Sequence, residues 1–153
     1  SDVYKRQITR TVIFFDEGAI FLHDKIDSNS QHEYTQIFNI GQDVSINVSD
    51  TSNVLLSSTV DDSSLTLQHL TDFSNFESYN GSNDPVMGWQ STTFNEVTPI
   101  TSLHFIMEGK SVEFETAINI ELEIVNVEIS QSENGDVYSI EFSDGSIKTI
   151  ELD

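Results

Sequence analysis

The residues Val137-Tyr138-Ser139-Ile140-Glu141-Phe142-Ser143-Asp144-Gly145-Ser146-Ile147-Lys148-Thr149-Ile150-Glu151-Leu152 contain two short strand-like runs around a turn. Val137 to Phe142 and Ile147 to Leu152 flank Asp144-Gly145, and glycine tolerates the positive φ that a tight hairpin turn demands. The same grammar extends through the chain. Val44, Ile46 and Val48 alternate with Ser45 and Asn47, and Val112 and Phe114 alternate with Glu113 and Glu115. No window sustains a helical period, and β-branched and aromatic residues stand between polar turn clusters such as Asp16-Glu17-Gly18, Asp27-Ser28-Asn29-Ser30 and Asn134-Gly135. The expectation is all-β: an antiparallel β-sandwich of stacked, multi-stranded sheets.

The candidate strands are 9–15, 19–26, 32–40, 44–48, 54–59, 65–70, 88–94, 101–107, 111–116, 118–130, 137–142 and 147–152. The segment 72–86 reads as a loop whose tip is Asn80-Gly81-Ser82-Asn83-Asp84-Pro85. Two runs, Val12-Ile13-Phe14-Phe15 and Phe105-Ile106-Met107, are apolar on both faces, which predicts further packed layers or, preferably, a missing neighbouring domain. Between Ile118-Ile120-Leu122-Ile124 and Val125-Val127-Ile129 the apolar phase slips by one residue, as at a β-bulge in a long strand.

The chain has 153 residues, enough for one domain, with 6 Lys plus Arg against 26 Asp plus Glu, a net charge of −20. That balance argues against nucleic acid, whose phosphates need basic partners, and against docking on anionic lipid. Ser111 to Asp153 holds 11 acidic residues and one Lys, which reads as a solvated strand face; a cation-binding surface is the alternative. The absence of Cys excludes disulfides, Cys-ligated metals and thiol catalysis. No run approaches the roughly 18 apolar residues of a membrane helix, and none reads as a signal peptide. Residues 1–7 (SDVYKRQ) read as a non-native linker, and the whole as a piece of something longer.

Four histidines, His23, His32, His69 and His104, are the candidate metal ligands, but only His23-Asp24 and His32-Glu33 form close pairs. His23 and Asp24 point to opposite faces of their strand, so one ion cannot readily take both; structural histidines are expected. Asp24 falls among Ile20, Leu22 and Ile26, on a face that should be buried. It either pairs with Arg10 on the preceding strand or sits solvated at a strand end. Trp89, the single Trp, reads as a core or inter-domain residue, with a sugar-stacking platform as the alternative. The sequence holds no nucleophile elbow, phosphate loop, dinucleotide fingerprint or calcium loop.

Three consecutive runs carry a family resemblance: Thr9-Arg10-Thr11-Val12-Ile13-Phe14-Phe15, Ala19-Ile20-Phe21-Leu22-His23-Asp24-Lys25-Ile26, and His32-Glu33-Tyr34-Thr35-Gln36-Ile37-Phe38-Asn39-Ile40. They resemble the C-terminal β-region of heparinase II/III-like polysaccharide lyases, a group that includes exolytic alginate lyases. There an R-x-V strand leads into hhV-x-D-R-h and then H-x-Y-x-x-x-F-H-L. Lys25 stands where Arg is usual, and Asn39 where the second His is usual. Gly88-Trp89-Gln90-Ser91, followed by Pro99, is similar to the family's G-W-x-S … P segment. The resemblance covers roughly residues 8 to 118, and residues 119 to 153 read as terminal acidic strands of the same domain.

What the resemblance implies is a parent with an N-terminal α/α-toroid and a C-terminal β-sandwich, periplasmic or secreted from a bacterium. Such a parent cleaves alginate or a heparin-like polysaccharide by β-elimination: a base takes the C5 proton, a neutralised carboxylate stabilises the carbanion, and an acid protonates the leaving oxygen. The family's catalytic groups, and a divalent-metal site for zinc or calcium, would precede Ile8. No catalytic residue, metal ligand or cofactor is therefore carried over. Arg10, Asp24, His32, Gly88, Trp89 and Ser91 carry over as positions that mark the fold. The expected partners are the missing toroid of the same chain and the parent's polysaccharide. The rival expectation is a non-catalytic carbohydrate-binding or adhesion sandwich, assisted by calcium through its carboxylates.

Overall fold

The computed structural model describes residues 6–153, so the 1–5 part of the expected linker lies outside the described residues. Alternating sequence becomes fourteen strands among them, with no helix. In chain order these are β1 (Arg6–Phe15), β2 (Ala19–Ile40), β3 (Val44–Asn47), β4 (Asn53–Ser58), β5 (Ser64–His69), β6 (Asn75–Asn80) and β7 (Ser82–Asn83). There follow β8 (Val86–Met87), β9 (Trp89–Thr93), β10 (Glu96–Pro99), β11 (Thr101–Asn119), β12 (Ile124–Ser132), β13 (Gly135–Phe142) and β14 (Ile147–Leu152).

The frame is a long ribbon, β2 paired antiparallel with β11, that bends on itself. Residues 19–27 of β2 pair with 111–119 of β11, and 32–40 pair with 101–109. Between these halves the four residues 28–31 face Lys110 alone. A straight strand carries residues twelve apart about 40 Å from each other. Yet the Gln36 side chain reaches Asp24, twelve residues back, at 3.0 Å. The far half of the ribbon, widened by β6, therefore stacks on the near half, as strands do when they switch sheets at a bulged corner. Ile26, Tyr34, Val54, Leu56, Leu67, Leu103, Phe105, Val112 and Phe114 fill the space between.

The near half belongs to a wide sheet ordered β1–β2–β11–β5–β4–β3. Its other face, through Ile13, Phe15, Ala19, Phe21 and Ala117, packs on Ile124, Tyr138, Ile140 and Phe142 of the three-stranded sheet β12–β13–β14. Three β-layers thus enclose two cores, and the sandwich expectation holds.

Several expected elements change. The runs 19–26 and 32–40 are one strand, as are 101–107 and 111–116. Asp27-Ser28-Asn29-Ser30 has turn composition because the ribbon turns a corner there without leaving extended backbone. The expected strand 118–130 is two strands: β11 stops at Asn119, residues 120–123 cross to the next layer, and β12 begins at Ile124. The bulge is real and leaves Val125 as the extra residue, since Ile124 pairs with Phe142 and Asn126 with Glu141. The expected loop 72–86 contains β6, whose Phe76 pairs with Phe105 on the ribbon. Val12 and Phe14 are not covered: they are 42% and 75% exposed, while Ile13 and Phe15 are buried. The C-terminal hairpin is as expected, with Gly145 at φ 86°.

Candidate functional site

Asp24 and Gln36 are polar residues at core-phase positions of one strand, and the bend in β2 brings them together. Arg10, opposite Asp24 in the β1–β2 register, closes a bidentate pair on it: Nε donates to Oδ1 at 2.6 Å and Nη2 to Oδ2 at 2.9 Å. Gln36 Nε2 donates to Asp24 Oδ2 at 3.0 Å and to Thr116 Oγ1 at 3.1 Å. Its amide oxygen accepts from His69 Nε2 at 2.7 Å. The chain Arg10–Asp24–Gln36–His69 therefore crosses the core from a half-exposed guanidinium to a buried imidazole. The bond to Asp24 pushes the Arg10 pKa up, with burial opposing it. Burial alone pushes His69 down to about 4, so the ring is neutral and its Nδ1 has no partner. Each fully buried polar atom here is costly unless bonded, so the network fixes which way the ribbon folds over.

Beside this network a groove of about 430 Å³ opens between the exposed face of β1 and the far half of β2. Arg10, Asp24 and Gln36 stand in it, Ile8, Ile26 and Phe114 give it an apolar floor, and the buried Tyr34 hydroxyl, without a partner, adjoins it.

On the opposite face of β2, His23 is buried between two partners. Its Nδ1 lies 2.8 Å from the Tyr138 hydroxyl and its Nε2 3.1 Å from Glu113. Burial raises the Tyr138 pKa, and it raises that of the neighbouring Glu115, with Glu113 adding to the effect. This set joins the wide sheet to β13. Tyr138 is 1% exposed and ties two layers together, while the Glu113 side chain is 51% exposed and, with His23, Lys25 and Glu115, lines an open groove of about 330 Å³. Among the described residues, no group of three or more His, Asp or Glu side chains is placed to hold a metal ion.

Comparison with solved structures now locates this fold. Heparan sulfate lyase HepC from Pedobacter heparinus matches with a TM-score of 0.68 at 12% identity, and its mutant with 0.69 at 13%. A heparinase III with methylated lysines matches with 0.72 at 16%. The fold is similar to that of a segment of each of these chains. Each match covers 95% of this chain, and this chain spans 23% of each of theirs. No family model and no curated protein matches the sequence.

The resemblance read from the sequence and the fold thus point the same way. Of the fold-marking positions, Arg10 and Asp24 meet in the ion pair, whereas the other four lie elsewhere. His32 bonds Ser30 Oγ at the corner of β2 (Nε2 to Oγ, 2.9 Å). Gly88 has φ +75°, and a Cβ there would come within 2.8 Å of the carbonyl oxygens of both Ile100 and Tyr79. Its own carbonyl accepts from Gly81 and Ile100, so this tight crossing requires glycine. Trp89 is half-buried, donates Nε1–H to Ser82 O at 2.8 Å and lies against Gly81. That bond anchors the 81–99 excursion. Ser91 Oγ donates to Thr93 O at 3.1 Å. Gln36 was missed, and His69 was named only as one of four histidines without its partner, although each shares a strand phase with core residues, Tyr34 and Phe38 or Leu65 and Leu67, as Asp24 does with Leu22 and Ile26.

Proposed function

We propose that this chain is the C-terminal β-sandwich portion of a polysaccharide lyase that cleaves a uronate-containing polysaccharide, alginate or heparin-like, by β-elimination outside the cytoplasm. Its own role is structural: it buttresses the toroid that carries the chemistry. The observation that carries this reading is the fold match over 95% of the chain to lyase chains four times its length or more, of which it spans 23%. Two physical features support it. Three groups with the chemistry of an acid or base, His23, His69 and Tyr138, are buried and bonded to neighbouring elements. A surface of net charge −20 repels an anionic polymer, so this sandwich does not form the binding cleft unaided.

The test has two parts. The purified 153-residue chain, incubated with alginate and with heparan sulfate, is expected to release no unsaturated uronate, read by its ultraviolet absorbance; product from the clean chain overturns the structural role. The coding sequence upstream of Ile8 is expected to encode a helical-repeat domain followed by a β-segment bearing clustered His and Asp. Further sandwich modules or a surface anchor there overturn the lyase reading.

A further inference from the structure

β1 lacks most of the features that protect an edge strand, its two arginines, Arg6 and Arg10, being the exception. Among the described residues only β2 pairs with it, so one edge is open along all ten residues. Native edges are blunted by Pro, bulges, brevity or charge, since a bare edge recruits other strands. β1 has no Pro, and its pairing with β2 runs without a bulge from Arg6 to Phe15. Its outward face mixes apolar and basic residues: Ile8 is 63% exposed, Val12 42% and Phe14 75%, with Arg10, 56% exposed, between them. The far half of β2 is open on the same side, because residues 32–40 pair only with β11 among the described residues. Two open strand edges and a face of apolar residues with Arg10 therefore border one groove of about 430 Å³.

We infer that β1 is an interior strand of a wider sheet, and that an extended segment of the same longer chain, from outside these 153 residues, pairs with its open edge and fills this groove. The inference rests on reading the chain as a portion of a larger lyase. Three observations choose that occupant over a second copy. Ile8 to Phe15 carries no carboxylate, although the chain has 26, so this strip fits a neutral or acidic strand. Two copies would bring together net charges of −20 each and set one Arg10 strand against another. The solved chains sharing the fold carry more than three quarters of their length beyond it, which supplies the segment. Strands adjacent in sequence are also usually adjacent in space, and the chain enters this sheet through β1.

Amide hydrogen exchange on the 153-residue chain and on the longer protein containing it tests this directly. The β1 amides that point away from β2 are expected to exchange about tenfold or more slowly in the longer protein, and fast in the short chain. Phe14→Asp is expected to leave the melting temperature of the short chain unchanged and to lower that of the longer protein by several degrees. Equal, fast exchange in both proteins overturns the inference. So does protection in the short chain together with a dimer in sedimentation, which would make a second copy the occupant. The outcome is separable from the lyase reading: protected β1 amides in a longer protein without lyase activity sustain the strand pairing and sink the enzyme assignment.

Discussion

Asp24 is the residue on which the polar core turns. Its carboxylate side chain is 7% exposed and accepts bonds from Arg10 and Gln36. Breaking a fully buried pair costs about 3–5 kcal/mol because a charge is stranded. Here Arg10 is 56% exposed and water can resolvate it, which lowers the cost. Asp24→Ala should therefore lose about 2 kcal/mol in urea unfolding; a loss below about 0.5 kcal/mol would mean that the carboxylate behaves as a surface group. His69 gives the same network a pH dependence. Burial holds its folded pKa at about 4, below the 6.5 of an exposed His. The unfolded chain then binds the proton first as pH falls, so stability is full above pH 6.5 and drains away towards pH 4. From pH 7 to 5 this amounts to about 2 kcal/mol. His69→Gln, which cannot titrate, should flatten the pH slope by that much; an unchanged slope would place the titration elsewhere.

At the scale of elements, the alternation of Val44, Ile46, Val112 and Phe114 made most strands legible, because period two is imposed by the pleat itself. What alternation does not encode is where a strand leaves one layer for another. Asp27 to Ser30 has the composition of a hairpin turn and is a corner in continuous strand, since polar side chains suit any exposed bend. The Arg10–Asp24 pair was readable because its partners are neighbours in register, whereas Gln36 and His69 join it only through the bend. The phase slip near Val125 was readable as a slip, and the register identifies which residue is extra. Ile124 is fully buried and Val125 is 45% exposed. Ile124→Ala should cost about 2–4 kcal/mol, the usual price of a buried cavity, and Val125→Thr less than about 0.5 kcal/mol. Equal losses at both sites would show that the bulge is drawn at the wrong residue.

For the whole molecule, net charge sets the terms. Lys148, the one basic residue beyond Ser111, pairs with Glu17 at 2.6 Å, tying β14 to the β1–β2 turn. That bond lowers the Glu17 pKa and raises that of Lys148. The remaining carboxylates of β12 to β14 repel one another across a few tens of ångströms in dilute buffer, where the screening length is about 30 Å, and far less at physiological salt, where it is about 8 Å. Sodium chloride should therefore raise the melting temperature steadily up to physiological ionic strength and little beyond it. Calcium chloride at matched ionic strength separates the two functional readings. Screening is blind to ion identity at equal ionic strength, apart from the modest advantage of a divalent counter-ion near a dense acidic face. A specific site adds RT ln(1 + [L]/Kd), about 2.7 kcal/mol at a hundredfold excess over Kd. The arrangement of carboxylates, with no three placed to share an ion among the described residues, leads us to expect nearly superposable melting curves in the two salts. A calcium curve displaced upwards by many degrees at micromolar ion, where screening is negligible, would instead favour the calcium-assisted adhesion module over a structural portion of a lyase.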